Sequence, residues 1–204
     1  MAVGLLKRMF ASYREATDAY VQALLDTDPS IVNLVELPRG WWPREWCEDD
    51  EMTTPRYRQP AVPSVYALPG HPRSGYVWED LAEGIIVRTR WRKVEHWDGV
   101  FVHADMSILY LFVDDFMMMP TLELAWAHWH ELREHIVFKE EAAPLLRYLG
   151  ANYRFDEYSA SRPDAARSIA VSMEEYLLAL VRRLLDDNPG VVLYKVTSPY
   201  PTEH

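Results

Sequence analysis

His128, His130, Glu131 and His135 come nearest, by type and spacing, to a set of residues that could do chemistry. Metalloprotease sites use His-Glu-x-x-His, which sets two imidazoles on one helical face toward a zinc ion. Here His130-Glu131-Leu132-Arg133-Glu134-His135 is one residue longer, so those two imidazoles point apart. His128, Glu131 and His135 do share a helical face, and three N/O ligands could bind zinc. No other segment offers an evident fourth ligand or base, so a solvated or subunit-contacting polar face is the preferred reading. Asp114-Asp115 resembles the paired aspartates that hold catalytic metal ions in nucleotide polymerisation, but no second carboxylate-bearing strand accompanies it. Asp is also a common turn residue at strand ends. Cys47 sits among acids, poor surroundings for a nucleophilic thiol. The glycines are scattered and form no phosphate-cradling loop, and no Gly-x-Ser-x-Gly elbow exists. Catalytic residues, cofactors and metals are therefore all expected to be none.

The elements that would position these residues centre on Glu83–Phe138. Asp98-Gly99 between two β-rich runs signals a hairpin, because a type I′ turn needs positive φ at both central residues. The implied register sets Ile85, Val87, Thr89 and Trp91 opposite Phe112, Tyr110, Ile108 and Met106. Its other face pairs Arg92 with Asp105 and Arg90 with Ser107. Arg88, Arg90 and Arg92 would then form one row, able to grip phosphate but partly neutralised by Asp105. A subunit interface explains that row equally well. Pro120 opens a following helix whose stripe of Leu122, Ala125, Trp129, Leu132 and Ile136 would lie on the hairpin.

Elsewhere, Leu6 to Leu25 carries a helical stripe, and Ile31–Leu37 reads as a short strand or helical turn. Arg39–Gly75 holds Pro43, Pro55, Pro60, Pro63, Pro69 and Pro72, a density that blocks helix and central strand. Trp41, Trp42, Trp46 and Tyr57 argue against plain disorder. Two readings stand: an extended arm that orders on something else, or one wrapped over its own domain. Pro144–Leu149 reads as a short helix closed by Gly150, Tyr153–Tyr158 as a strand, and Ser161–Asp164 as a turn. Ala166–Leu185 stays ambiguous between strand alternation at Ile169, Val171 and Met173 and a helix capped by Ser172 and Glu175. Val191–Thr197 reads as a late strand. The expected fold is α+β: an antiparallel or mixed sheet built on a long hairpin, helices on one face, and a Pro/Trp-rich arm. Residues 1–204 are read as one domain, with 39–75 as the arm and 184–204 as a C-terminal extension.

The formal net charge of −10 over 204 residues argues against a general nucleic-acid binder. It suits a surface that DNA slides past, and equally mere solubility. One cysteine excludes an internal disulfide and points to a reducing compartment. No apolar run reaches the roughly 18 residues of a membrane span, and Met1–Phe10 makes a poor signal peptide. The protein is expected to be cytosolic when made.

Three stretches carry a resemblance. Ala19–Pro29, with its Asp28-Pro29, resembles the opening helix of the tail-terminator (tail-completion) proteins of long-tailed bacteriophages. Asp105–Val113, entered from a hairpin and left into Leu122–Ala127, resembles their central strand and helix. Arg162-Pro163-Asp164 before Ile169-Ala170-Val171 resembles their last hairpin, and favours a strand across Ile169–Val181. The resemblance spans about residues 12 to 182; the Pro-rich insert is long for the family and the chain continues past Arg183. It implies a virion protein at the head–tail junction, a homo-oligomeric ring of the hexameric kind. The ring would contact tail-tube and head-connector proteins, while DNA passes its lumen without specific binding. Candidate interface residues are Trp41, Trp42, Trp46, Tyr57, Arg88, Arg90, Arg92, Trp97 and Asp98. The alternatives are an acidic interaction or inhibitor protein with one macromolecular target, and a zinc-dependent hydrolase using His128, Glu131 and His135.

Overall fold

The computed structural model of the chain describes residues 10–26, 28, 30–49, 51–155 and 169–194. They group into two compact units, Met1–Pro144 and Leu145–His204. In the first unit the strands are β1 (Ser12–Glu15), β2 (Leu34–Glu36), β3 (Ala61–Pro63), β4 (Arg92–Lys93), β5 (Val100–Val102), β6 (Ile108–Phe112), β7 (Asp115–Met119) and β8 (Ala143–Pro144). Its helices are α1 (Ser74–Arg88) and α2 (Leu122–Arg133), with 3₁₀ turns at Ala19–Gln22, Arg39–Trp41 and Arg44–Trp46. The second unit contains β9 (Arg147–Tyr148), β10 (Ala151–Phe155), β11 (Ile169–Ser172) and α3 (Glu174–Asp187). The α+β class is as expected.

An antiparallel sheet ordered β4-β5-β6-β7-β1-β8 forms the frame of the first unit. Phe101 pairs with Leu109, Leu109 with Met118, and Leu111 with Phe116, so these residues share a face. All are buried, and they cluster with Trp78, Ala82, Ile85 and Ile86 of α1 and with Trp129 and Leu132 of α2. The stripe expected for α2 is observed: Ala125, Trp129 and Leu132 are buried, with Ile136 just beyond the helix.

The long hairpin of residues 83–113 is replaced by a different arrangement. Ser74–Arg88 is helical, with Trp78, Ala82, Ile85, Ile86 and Thr89 buried along one side. Alternation at Ile85, Val87, Thr89 and Trp91 overlaps the end of that stripe. β propensity spans only about 1 kcal/mol, whereas burying a large apolar side chain yields about 1.5–3 kcal/mol, so packing of Trp78, Ile85 and Ile86 decides the state. A Schellman closure ends the helix, with Trp91 N–H donating to Ile86 O (3.3 Å) and Arg90 N–H to Val87 O (3.1 Å). Arg90 accordingly takes φ 69°. The expected register fails with the hairpin: Arg92 lies opposite Val102 and Lys93 opposite Phe101. Gly99 has φ 69° but Asp98 does not share the positive region. The loop is accordingly wider than a type I′ turn, closed by Val94 N–H to Val100 O at 2.8 Å. The second expected strand is also divided, since residues 103–107 form a turn with Met106 at φ 72°.

Other expectations are corrected in turn. The described part of the N-terminal helix is β1 and a 3₁₀ turn; residues 1–9 lie outside the described residues. Buried Ser12 and Arg14 alternate with Tyr13 and Glu15, the period of a strand. Ile31–Leu37 does contain a strand, β2, paired with β3 from within the Pro-rich segment. Pro144–Leu149 is not a helix: Pro144 ends β8, Arg147–Tyr148 form β9, and Leu149 (φ 47°) and Gly150 (φ 78°) make the β9–β10 turn. Residues 169–172 are strand, but 174–187 are helix, so the extended reading to Val181 gives way to the helical one, with Met173 rather than Ser172 at its N-cap. The 161–164 turn lies outside the described residues, and Val191–Tyr194 carry no strand.

Gly99 is the tightest of the described glycines, because an added Cβ would meet Leu111 O at 2.3 Å. Gly99→Ala is expected to cost about 2 kcal/mol or more, from the clash and the positive φ together. Urea unfolding measures it, and an unchanged midpoint would contradict the β5–β6 packing described here.

Candidate functional site

The turn between β5 and β6 and the second turn of α2 bring together His103, Asp105 and His128. Asp105 Oδ2 lies 2.9 Å from His103 Nδ1 and 2.8 Å from His128 Nε2. Its other oxygen accepts the Ser107 N–H at 2.8 Å, an Asx-type bond that shapes the turn. Two further backbone bonds close that turn, His103 N–H to Ser107 O and Met106 N–H to His103 O, each 2.9 Å. Burial pushes the Asp105 carboxyl up, but the bonds from Ser107 and His128 outweigh it and hold it well below the usual carboxylate range. Buried Trp91 packs its ring 5.3 Å from His103 and 5.0 Å from His128, centroid to centroid. The two imidazoles meet edge to face at 4.7 Å.

His128 thus has partners other than those its helix suggests. Glu131 forms an ion pair with Arg90 at 3.2 Å, and His135 is exposed, so His128, Glu131 and His135 do not converge. Asp114 and Asp115 sit at the β6–β7 reversal, with Asp115 pushed up by burial and by the neighbouring Asp114 and Glu15 charges. Glu15 is paired with Lys139.

The residues proposed as an interface are dispersed. Arg88 ends α1, Arg90 occupies the cap and Arg92 lies on β4, so no single row forms. Trp97 (66% exposed) projects from the β4–β5 loop. Beside it, Asp98 and Gly99 line a groove of about 370 Å³ with Trp78 and Tyr110. In the Pro-rich segment, Trp46 stacks edge-on against both Trp42 and Tyr57 at 6.1 Å. Trp42 is buried and donates to Leu37 O at 2.8 Å, while Trp41 is 77% exposed. The segment therefore folds largely on itself and on residues 23–36, through Leu25 N–H to Val65 O, Ala67 N–H to Ala23 O, and β2–β3.

In the second unit every described residue from Ala170 to Tyr194 is exposed. That includes the apolar side of α3, with Tyr176, Leu177, Leu180, Val181 and Leu184. The periodicity of α3 was legible; what it would leave bare was not, because exposure depends on packing partners.

No family model and no curated protein matches the chain.

Asp49 anchors the Trp46–Tyr57 loop by accepting Thr53 N–H (2.8 Å), Thr54 N–H (2.6 Å) and Thr53 Oγ–H (3.0 Å). Those bonds, Thr54 foremost, hold its carboxyl below the usual range. A folded value below the unfolded one means full stabilisation above about pH 4, lost as pH falls through the folded value. Pepsin cleavage within residues 46–57 is expected to accelerate as pH falls below about 4, with Asp49→Asn cleaved fast throughout. Equal pH profiles for the two proteins would refute the anchor.

Proposed function

We propose that this protein is a structural assembly subunit without a catalytic step, and that its assembly is the ring closing the tail tube of a long-tailed bacteriophage beneath the head connector. The observation that carries the assembly role is α3, whose apolar side is exposed among the described residues. An isolated helix of its 14 residues is marginal in water. Such helices draw their stability from packing of the apolar side, so a second surface is the natural stabiliser. Contacts between copies that repeat head to tail close into rings where the rotation between neighbours closes.

The phage assignment rests on the sequence resemblance and on features compatible with it. β10 and β11 form an antiparallel pair where the resemblance puts the closing hairpin, with Phe155 opposite Ile169. The net charge of −10 suits a lumen that lets DNA pass. Exposed Trp41 and Trp97 add anchors of the kind enriched in protein interfaces.

Light scattering with negative-stain imaging, on the protein alone and with tail-tube protein, tests both levels. Rings capping tube ends are expected. Oligomers that ignore tubes would retain the assembly role and reject the phage assignment; a monomer under both conditions would reject both. Leu180→Asp with Leu184→Asp is expected to weaken assembly at least tenfold while the first unit keeps its urea midpoint, because a carboxylate desolvated in an apolar contact costs several kcal/mol. Trp97→Ala is expected to weaken assembly less.

A further inference from the structure

We infer that His103, Asp105 and His128 form a binding site for one divalent transition-metal ion, with zinc the best match. The site is independent of the assembly role. Each residue offers one ligand atom, and all three atoms lie within 4.8 Å of one another. Among the described residues this is the one group so arranged.

The three ligand atoms converge on one place, and local adjustment separates them from ion-bound spacing. Zinc holds N and O ligands at about 2.0–2.2 Å, which sets tetrahedral ligand atoms roughly 3.3 Å apart. Asp105 Oδ2 lies 2.9 Å and 2.8 Å from the two imidazole nitrogens. Admitting the ion takes an outward shift of Asp105 Oδ2 by about half an ångström, closure of the two nitrogens from their spacing of up to 4.8 Å toward about 3.3 Å, and release of the N–H protons that now bond Oδ2. Two imidazoles and one carboxylate select zinc, iron, nickel or copper over magnesium and calcium, which prefer all-oxygen shells. Three protein ligands leave a fourth position for water.

The surroundings already orient such ligands. Ser107 N–H holds the second Asp105 oxygen, and Trp91 walls both rings, the polar and apolar supports that metal sites use. Among the described residues, Trp91 Nε1 and Ser107 Oγ are buried without a hydrogen-bond partner. Both belong to residues touching the cluster, so its margin holds polar capacity that the protein itself does not use. None of the three ligands lines the groove beside Trp78 or the one beside Trp126. The ion would therefore act as a brace, fastening the β5–β6 turn to α2.

Untagged full-length protein, stripped with EDTA and dialysed, is titrated with zinc chloride by calorimetry. Bound metal is counted by elemental analysis, and thermal unfolding is followed with zinc or magnesium chloride. One zinc per chain is expected. The melting temperature should rise about 5–10 °C at a hundredfold excess over Kd, with no response to magnesium. His103→Gln and Asp105→Asn should each weaken zinc at least about a hundredfold, whereas His130→Ala and His135→Ala should not. His103 lies on a turn, so its variant reads the site even where loss of buried His128 prevents folding. Absence of stoichiometric zinc uptake, or uptake unchanged in both His103→Gln and Asp105→Asn, would overturn the assignment. Destabilised Asp105→Asn beside a wild type that takes no zinc would reduce the cluster to a hydrogen-bonded brace and overturn it equally.

Discussion

Two consecutive side chains hold α2 across the sheet, and the first unit depends on that hold. His128 reaches Asp105 at the β5–β6 turn, while Trp129 Nε1–H donates to Ser12 Oγ on β1 at 3.0 Å. β6 and β7 lie between those strands. Successive helical residues point about 100° apart, so one helix satisfies both only by lying over the middle of the sheet. Polar atoms on a packed face need partners, since each one left bare costs about 1–3 kcal/mol. β1 adds to that demand through buried Arg14, which donates to Glu140 O at 2.8 Å and lies 4.7 Å from the Phe138 ring centre. The polar residues of an otherwise apolar face thus select where α2 and the segment after it must run.

α1 completes the arrangement through its end rather than its middle. Its cap turns the chain so that Trp91 closes against both imidazoles. The reversals around this sheet use non-glycine residues at positive φ: Arg90, His96, Met106 and Val113. Val113 is the most restricted of these, being β-branched. Trp78 Nε1–H donates to its carbonyl at 2.6 Å, tying the strained reversal to the core of α1. Strain persists where surrounding contacts determine the backbone, and here the contact is a buried indole.

The two units present different physical problems. The first buries its apolar face and places unusual polarity at the His103–Asp105–His128 cluster. The second displays an amphipathic helix with every residue exposed. The first is built as a frame, whereas in the second the described residues leave the apolar side of α3 exposed.

Ile31–Leu37 stayed open between strand and helical turn and Ala166–Leu185 between strand and helix, whereas the sequence by itself determined the α+β class, α2 and the acidic character. In each case a single period or composition was undisturbed, as in Ala125, Trp129, Leu132 and Ile136. It misassigned α1 because Ile85–Trp91 satisfies periods of 2 and 3.6 at once. Only the burial of Trp78 and Ile86 against the sheet separates them. His128 was legible as a candidate ligand, but its partners were not. His103 and Asp105 lie on a turn that sequence alone reads as continuous strand, and 23 residues separate Asp105 from His128. Periodicity reports which side of an element faces the core. Which elements then meet is decided by packing and by satisfaction of buried polar groups, and that is why the cluster exists only in three dimensions.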